Sequence, residues 1–234
     1  MQLFYNSEIS KEMMNFSFDK EESRHIVKVL RKKSGDKLLV TNGLGDVFTV
    51  EIISANDHKC TVKVVAHEKQ QPKNYHLHLA VAPTKMNDRY EWFLEKATEI
   101  GISEITPIIC DHSERSSLKA ERMGKVILSA MKQSMHYYMP RLNEPMTFSD
   151  FMQTVRVGQK FIAHCEDDQK SPLKNVLQKN QDVTILIGPE GDFSSKEIKS
   201  AIENEYVPIS LGETRLRTET AAIVATHSVV FINE

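Results

Sequence analysis

The apolar positions of this chain follow two rhythms, and the change between them falls near residue 74. Upstream, apolar and polar residues alternate in short runs. The stretch "KLLVTNGLGDVFTVEII" (37–53) holds two such runs around Asn-Gly-Leu-Gly, a hairpin signal. In "HKCTVKVV" (58–65), Cys60, Val62 and Val64 alternate with Thr61 and Lys63, which predicts a third strand. One helix interrupts the strands, "KEESRHIVKVLRKKSG" (20–35). Ile26, Val27, Val29 and Leu30 lie on one side of it, and Gly35 is placed to stop it. A small β-barrel carrying one helix is the expected fold of residues 1–70.

Downstream, strand and helix patterns alternate. "YHLHLAVAP" (75–83) reads as a strand, and "NDRYEWFLEKATEIG" (87–101) as a helix. In that helix Tyr90, Phe93, Leu94 and Ala97 form the buried stripe. Asp88 and Glu91 have capping-box spacing, and Gly101 fits the C-terminal cap. "EITPIIC" is the next strand, and residues 119–138 read as a helix. "KFIAHC" and "DVTILIG" are short apolar runs suited to a parallel sheet covered on both faces. "SSKEIKSAIENE" (helix), "YVPISLG" (strand) and "TETAAIVATHSVVFI" (apolar helix) complete the chain. Alternating strands and helices imply an α/β domain over residues 71–234. The polar, proline-bearing segment 68–74 is the expected linker.

The chain's 234 residues, 40% hydrophobic, can bury a substantial core. A net charge of −2 gives no global indication of a nucleic-acid partner, so any basic surface must be local. Cys60, Cys110 and Cys165 are far apart and odd in number. They suggest a reducing, cytoplasmic setting without a disulfide framework or a paired-cysteine metal site. The N-terminus reads as no signal peptide, and no apolar run reaches the length of a membrane span. His76 and His78 share one strand face, but no ligand cluster joins them, so no metal is expected.

Two strand ends carry candidate chemistry. "TILIGPEG" ends one strand in a glycine-rich turn. "VPISLGETRLRTETA" ends another at Leu211-Gly212 and passes through Arg215 and Arg217 into a helix. Ligands of open α/β sheets sit beyond the carboxyl ends of the strands, and glycine lets bare backbone approach them. The same glycines also satisfy plain turns, and spacing alone leaves both readings open. Nucleotide-binding GxxxxGK[ST] and nucleophile-elbow GxSxG motifs are absent, and the Gly-x-Gly of "NGLGDVF" reads as a hairpin turn.

With these residues the chain resembles the bacterial 16S ribosomal RNA uridine N3-methyltransferases of the SPOUT superfamily, the RsmE family. The likeness runs over essentially the whole chain. It rests on "HIVKVLR", on "APTKMNDRYEWFLEKATEIGISEITPI", on "SERS" (113–116), and above all on "IGPEGDFSSKEI" with "LGETRLRTETAAI" at the right separation. Departures stand at Asp192, where the family has glycine, at Thr214-Arg215, and in "AMKQSMH", where Lys132 and His136 replace a glutamate and an arginine.

The resemblance implies a PUA-like RNA-binding barrel followed by a SPOUT α/β domain with a C-terminal trefoil knot. It also implies a homodimer and S-adenosylmethionine as cofactor. The cofactor positions it marks are His164, Ile187, Gly188, Pro189, Glu190, Gly191, Leu211, Gly212, Leu216, Arg217 and Thr218. The expected substrate is 16S ribosomal RNA or the assembled small subunit. Uracil N3 must lose a proton before it attacks, so a base or a stabiliser of the uracil anion is needed. Arg115 is the expected stabiliser, and Glu190 and Glu219 are the candidate bases. For RNA contact the candidates are Arg24, His25, Lys28, Arg31, Lys32, Lys33, Gln133 and Ser134. Residues 24–37 set six cations against one aspartate, a local charge of +5. Two other functions compete: a SPOUT methyltransferase acting on another RNA or at a ribose hydroxyl, and a non-catalytic RNA-binding assembly factor.

Overall fold

Strand pairing follows the two rhythms of the sequence. The computed structural model describes residues 2–166 and 169–234, and it divides into two units. The first comprises Met1–Pro72 with Met131–Met139, and the second the remainder.

In the first unit, β1 (Leu3–Tyr5), β2 (Asn15–Ser17), β3 (Lys37–Thr41), β4 (Asp46–Ser54) and β5 (Thr61–Lys69) form one sheet of order β1-β3-β4-β5-β2. No ladder joins β1 to β2 among the described residues, so by pairing the expected barrel is an open sheet. Its core includes Phe4, Ile26, Phe48, Val50 and Val62. The helix is shorter than the pattern predicts. α1 (Lys20–Arg24) is capped by Asp19, whose side chain accepts from Glu22 N, and it passes into a π-helical turn over His25–Val29. The wider turn shifts the phase of the apolar stripe. Ile26 is fully buried, but Val29 is 66% exposed, against expectation. The helix ends at Leu30, because Arg31 takes a left-handed φ of +54°.

The sequence boundary at residue 70 misses residues 131–139. Gly45 N donates to Tyr137 O (2.8 Å) and Met139 N to Gly43 O (2.8 Å). Thr41 Oγ1 also donates to Tyr137 O, and Tyr138 Oη to Gln70 O. A Cβ on Gly45 would lie 2.2 Å from the Tyr138 ring. The Asn-Gly-Leu-Gly hairpin is therefore both a turn and the receptor for this segment. Lys132, where the resemblance has glutamate, pairs with Glu22 of α1.

In the second unit every pairing is parallel. The strands are β6 (Leu77–Val81), β7 (Glu104–Ile109), β8 (Arg141–Leu142), β9 (Met146–Thr147), β10 (Gln159–Ala163), β11 (Ser171–Pro172), β12 (Val183–Ile187) and β13 (Val207–Ser210). Their order is β11-β13-β10-β12-β6-β7-β8, with β9 also on β7. Every residue of β6 and β12 is buried, as a sheet covered on both faces requires.

The helices of this unit are α2 (Asn87–Ile100), α3 (Ala120–Gln133, its last residues counting with the first unit), α4 (Phe148–Met152), α5 (Leu173–Val176), α6 (Ser195–Glu203) and α7 (Thr218–Asn233). On one sheet face, α4 and α6 close a core that includes Phe148, Phe151, Ile162, Leu186 and Ile198. α7 lies on β6 and β12 and packs against α2. α2 buries the predicted stripe and ends at Gly101, φ +109°. Its predicted capping box does not form: Met86 is the N-cap, and Glu91 is drawn to Arg122 instead (2.7 Å). α6 does carry a capping box, Ser194 with Glu197. α3 stops at Gln133, five residues before the predicted end, and Met135 is left-handed at φ +59°.

Candidate active site

Three parallel strands, β10, β12 and β13, end side by side, and their carboxyl ends enclose a cavity of about 630 Å³. The walls are Ala163–Cys165 at the end of β10, Ile187–Glu190 and Asp192 at the end of β12, Ile209–Arg217 at the end of β13, and Lys170, with Thr218 and Ala221 of α7. This is the position where open α/β sheets hold ligands. Thr218 Oγ1 donates to Gly188 O (3.0 Å), which fixes the start of α7 to the β12 loop.

Of the cofactor positions read from the sequence, His164, Ile187, Gly188, Pro189, Glu190, Leu211, Gly212, Leu216, Arg217 and Thr218 line the cavity; Gly191 does not. A Cβ on Gly191 would meet His112 Cβ at 3.0 Å, so this glycine leaves room for the His112 side chain. A Cβ on Gly188 would touch the Phe193 ring at 3.0 Å. At Gly212 it would meet nothing within 4 Å, because it would project into open space.

Arg115 and Glu190 meet at one residue that sequence reasoning did not single out. Arg115 Nη2 donates to Lys85 O (3.0 Å), and Lys85 N donates to Glu190 Oε1 (2.9 Å). Arg115 Nη1 also donates to Asn87 Oδ1 (2.5 Å), at the first residue of α2. Both backbone groups of Lys85 are thus used, one for the expected stabiliser and one for a candidate base. Glu219 is placed differently. It is 7% exposed, outside the cavity lining, with Oε1 3.9 Å from Arg89 Nε.

The Arg115 loop is also fixed to the β12 loop. Asp111 N donates to Glu197 Oε1 (3.0 Å), and Ser194 Oγ donates to Asp111 Oδ2 (2.6 Å). His112 Nδ1 lies 3.1 Å from both Gly191 O and Asp192 O. Lys85 and Asn87 lie within the matched "APTKMNDRYEW" motif, where a signal existed. For His112 there was none, since its partners are some 80 residues away.

The RNA candidates fall in the first unit. Arg24, Lys28, Arg31, Lys33 and Gln133 are exposed, while His25, Lys32 and Ser134 are half-buried. Lys28 lies 3.4 Å from Asp57, an exposed pair of small energetic weight. Arg31 and Lys32 lie beyond the helix end, so the basic run does not lie on one helix.

His76 and His78 serve a carboxylate. His78 is buried, with Nε2 2.8 Å from Thr106 Oγ1, and Glu104 lies between the two rings at 3.4 and 3.8 Å. No cluster of three or more metal-ligating groups occurs among the described residues. Burial presses the His78 pKa from 6.5 to about 3, against the upward pull of Glu104. Burial pushes Glu104 up, but His78, Asn143 and Arg156 outweigh it and hold Glu104 below its ordinary value.

Both folded-state pKa values are depressed. Each group therefore contributes stability that is complete above its unfolded pKa and lost as pH falls. For His78 the loss runs from 6.5 down to about 3. Stability, read as the thermal midpoint, is expected to fall below about pH 6.5, by up to about 1.4 kcal/mol of unfolding free energy per pH unit for one proton. In His78→Asn the fall between about pH 6.5 and 5 should shrink. An unchanged slope in calorimetric melts would place the acid sensitivity elsewhere.

A parallel sheet with a cavity at its strand ends, in a chain whose first unit carries a basic run, is the layout of a ligand-binding α/β enzyme. The chain belongs to the RNA methyltransferase family: residues 52–230 match the RNA methyltransferase domain and residues 18–65 the RNA methyltransferase PUA domain. It is 32% identical over 204 residues to ribosomal RNA small subunit methyltransferase E of Rickettsia conorii, covering 86% of this chain and 83% of that protein. To the Bacillus subtilis protein of the same name it is 26% identical, over 96% and 93%. A crystal structure from Porphyromonas gingivalis, described as a probable rRNA-methyltransferase, superposes with a TM-score of 0.93 at 38% identity, over 100% of this chain and 98% of that one. A Legionella pneumophila protein solved with bound SAM superposes at 0.88, with 26% identity over 99% and 97%.

Proposed function

We propose that this protein is an S-adenosylmethionine-dependent methyltransferase acting on N3 of a uridine in 16S ribosomal RNA of the small subunit. The observation that carries the reading is the cavity at the ends of β10, β12 and β13, in a chain whose relatives are small-subunit rRNA methyltransferases. Its residues fit the cofactor. Gly212 leaves bare backbone facing open space, Lys170 and Arg217 can meet a carboxylate, and Glu190 and Glu213 can meet cationic groups.

When bound, S-adenosylmethionine supplies an electrophilic methyl on a sulfonium. The chain's own residues must align uracil N3 with that methyl and stabilise the charge left when its proton departs. Arg115, held by Asn87 and Lys85, presents a fixed guanidinium for the uracil anion. Glu190 lines the cavity with Oε1 held by Lys85 N, and we assign it the N3 proton in preference to Glu219, which lies outside the lining.

The proposal includes a SPOUT-type trefoil knot and a homodimer. After β13, near one edge of the sheet, the chain returns to lay α7 on β12 and β6 and to bond Gly188 at Thr218, a course that supports threading. On α7, His227 and Phe231 stack at 5.7 Å and Phe231 is 67% exposed, an apolar face that a second copy would cover. Since ribosomal RNA is the substrate, the cytoplasm is the proposed site of action. Mass mapping of modified uridines in 16S rRNA, from cells with and without the protein, tests the activity. Loss of one N3-methyluridine is expected. An unchanged map with retained RNA binding would favour the assembly-factor reading.

Within this reading the basic run of the first unit grips phosphates. Such contacts position RNA and make binding salt-dependent. Arg31→Glu with Lys32→Glu should weaken RNA binding and flatten its salt slope by roughly 0.7–0.9 for each phosphate no longer neutralised. Cofactor affinity should hold, since the cavity lies in the other unit. An unchanged salt slope would show the run to be a solvated surface.

A further inference from the structure

Asp192 holds a conformation that suits glycine better. Its φ is +65°, left-handed backbone in which a Cβ is disfavoured. The aspartate supplies something that glycine lacks. Its Oδ2 accepts from Cys165 N at 2.7 Å. Cys165 belongs to the wall of the cavity that follows β10, and Asp192 itself belongs to the wall that follows β12. The carboxylate therefore spans two walls. Asp192 N donates to Pro189 O at 2.9 Å, closing the turn that carries Glu190. Its carbonyl, with that of Gly191, faces His112 Nδ1 at 3.1 Å, three residues before Arg115. Three loops thus converge on one residue: the β10 end, the Gly-Pro-Glu-Gly turn and the Arg115 loop.

We propose that Asp192 is a positioning residue of the cofactor cavity, its carboxylate fixing the β10 end to the β12 loop through the Cys165 amide. The proposal rests on the methyltransferase reading above. A backbone amide bonded to a carboxylate is charge-assisted and short, which sets the spacing of the two walls before the cofactor arrives. The carbonyl contact to His112 needs no side chain, so only the link to Cys165 depends on residue type.

The test compares Asp192→Gly and Asp192→Asn with the unaltered chain, using S-adenosylmethionine titrations by calorimetry, melting without cofactor, and hydrogen exchange at the Cys165 amide. Asp192→Gly relieves the left-handed backbone but removes the Cys165 bond, so its melting temperature should stay close to that of the unaltered chain. It should nevertheless bind S-adenosylmethionine about tenfold more weakly or worse, about 1.4 kcal/mol, and exchange the Cys165 amide faster. Asparagine tolerates the left-handed region and keeps a side-chain carbonyl, so Asp192→Asn should recover most of the affinity and the protection. Affinity of Asp192→Gly within about twofold of the unaltered chain overturns the proposal, at well under 1 kcal/mol. So does an asparagine variant as weak as the glycine one, since the residue would then act by charge on the ligand. If the unaltered chain binds no S-adenosylmethionine, the methyltransferase reading falls and this proposal falls with it. Binding by the unaltered chain, undiminished in Asp192→Gly, overturns this proposal alone.

Discussion

Arg115→Ala should lower the single-turnover methylation rate on small-subunit ribosomal RNA by about 10²–10³-fold, the usual cost of one preorganised donor at a developing charge. The geometry supports a large effect. Arg115 Nη1 is held by Asn87 Oδ1 and Nη2 by Lys85 O, so the guanidinium is oriented before substrate arrives. Donors that need no reorganisation stabilise charge better than mobile ones. Cofactor affinity should change little, because Arg115 is not among the residues that line the cavity. Rapid-quench kinetics at saturating cofactor would read the rate, and calorimetry the affinity. A mutant within about twofold of the unaltered chain, well under 1 kcal/mol of barrier, would make Arg115 a loop charge held only by its neighbours.

Asn87→Ala offers a graded version of the same test. It removes one of the two acceptors and keeps the guanidinium. The fall in rate should therefore be smaller than that of Arg115→Ala and should appear in the same step.

Elements with a one-sided or fully buried pattern were legible in the sequence. α2 shows its stripe of Tyr90, Phe93, Leu94 and Ala97, and Gly101 stops it with a positive φ. β12 reads as an apolar run interrupted only by Thr184 because both of its faces are covered. The two glycine-bearing loops that line the cavity were legible because each follows a strand directly. Local pattern failed where a distant partner decided the outcome. Glu91 has capping spacing, but Arg122 takes its carboxylate. The Asn-Gly-Leu-Gly hairpin looked like a turn alone, because residues 137–139, which fill its glycine side, lie more than 90 residues away. Val29 was placed in the core by a 3.6-residue period that the π-helical turn does not keep. Gly191 was assigned to the cofactor, although the chain from a different loop, at His112, occupies the space its missing Cβ leaves.

That last distinction decides which glycine tests the cavity. Gly212→Val should weaken S-adenosylmethionine binding by at least about a hundredfold, about 2.7 kcal/mol. A Cβ at Gly212 meets nothing within 4 Å, and the residue lines the cavity, so a branched side chain there takes up ligand space. Its φ of +158° adds some backbone cost. Gly212→Ala separates the two effects. Strain belongs to any Cβ, so alanine and valine should lower the melting temperature similarly. Occupied volume grows with the side chain, so cofactor affinity should fall further for valine than for alanine. Gly191→Val differs in kind: its side chain would press on His112 and move the Arg115 loop, so the methylation rate should suffer more than cofactor affinity. Calorimetric titration with S-adenosylmethionine and circular-dichroism melts read affinity and stability for all three variants, and single-turnover kinetics reads the rate of Gly191→Val. If Gly212→Val binds the cofactor as the unaltered chain does, the loop after β13 is no wall of the cofactor site.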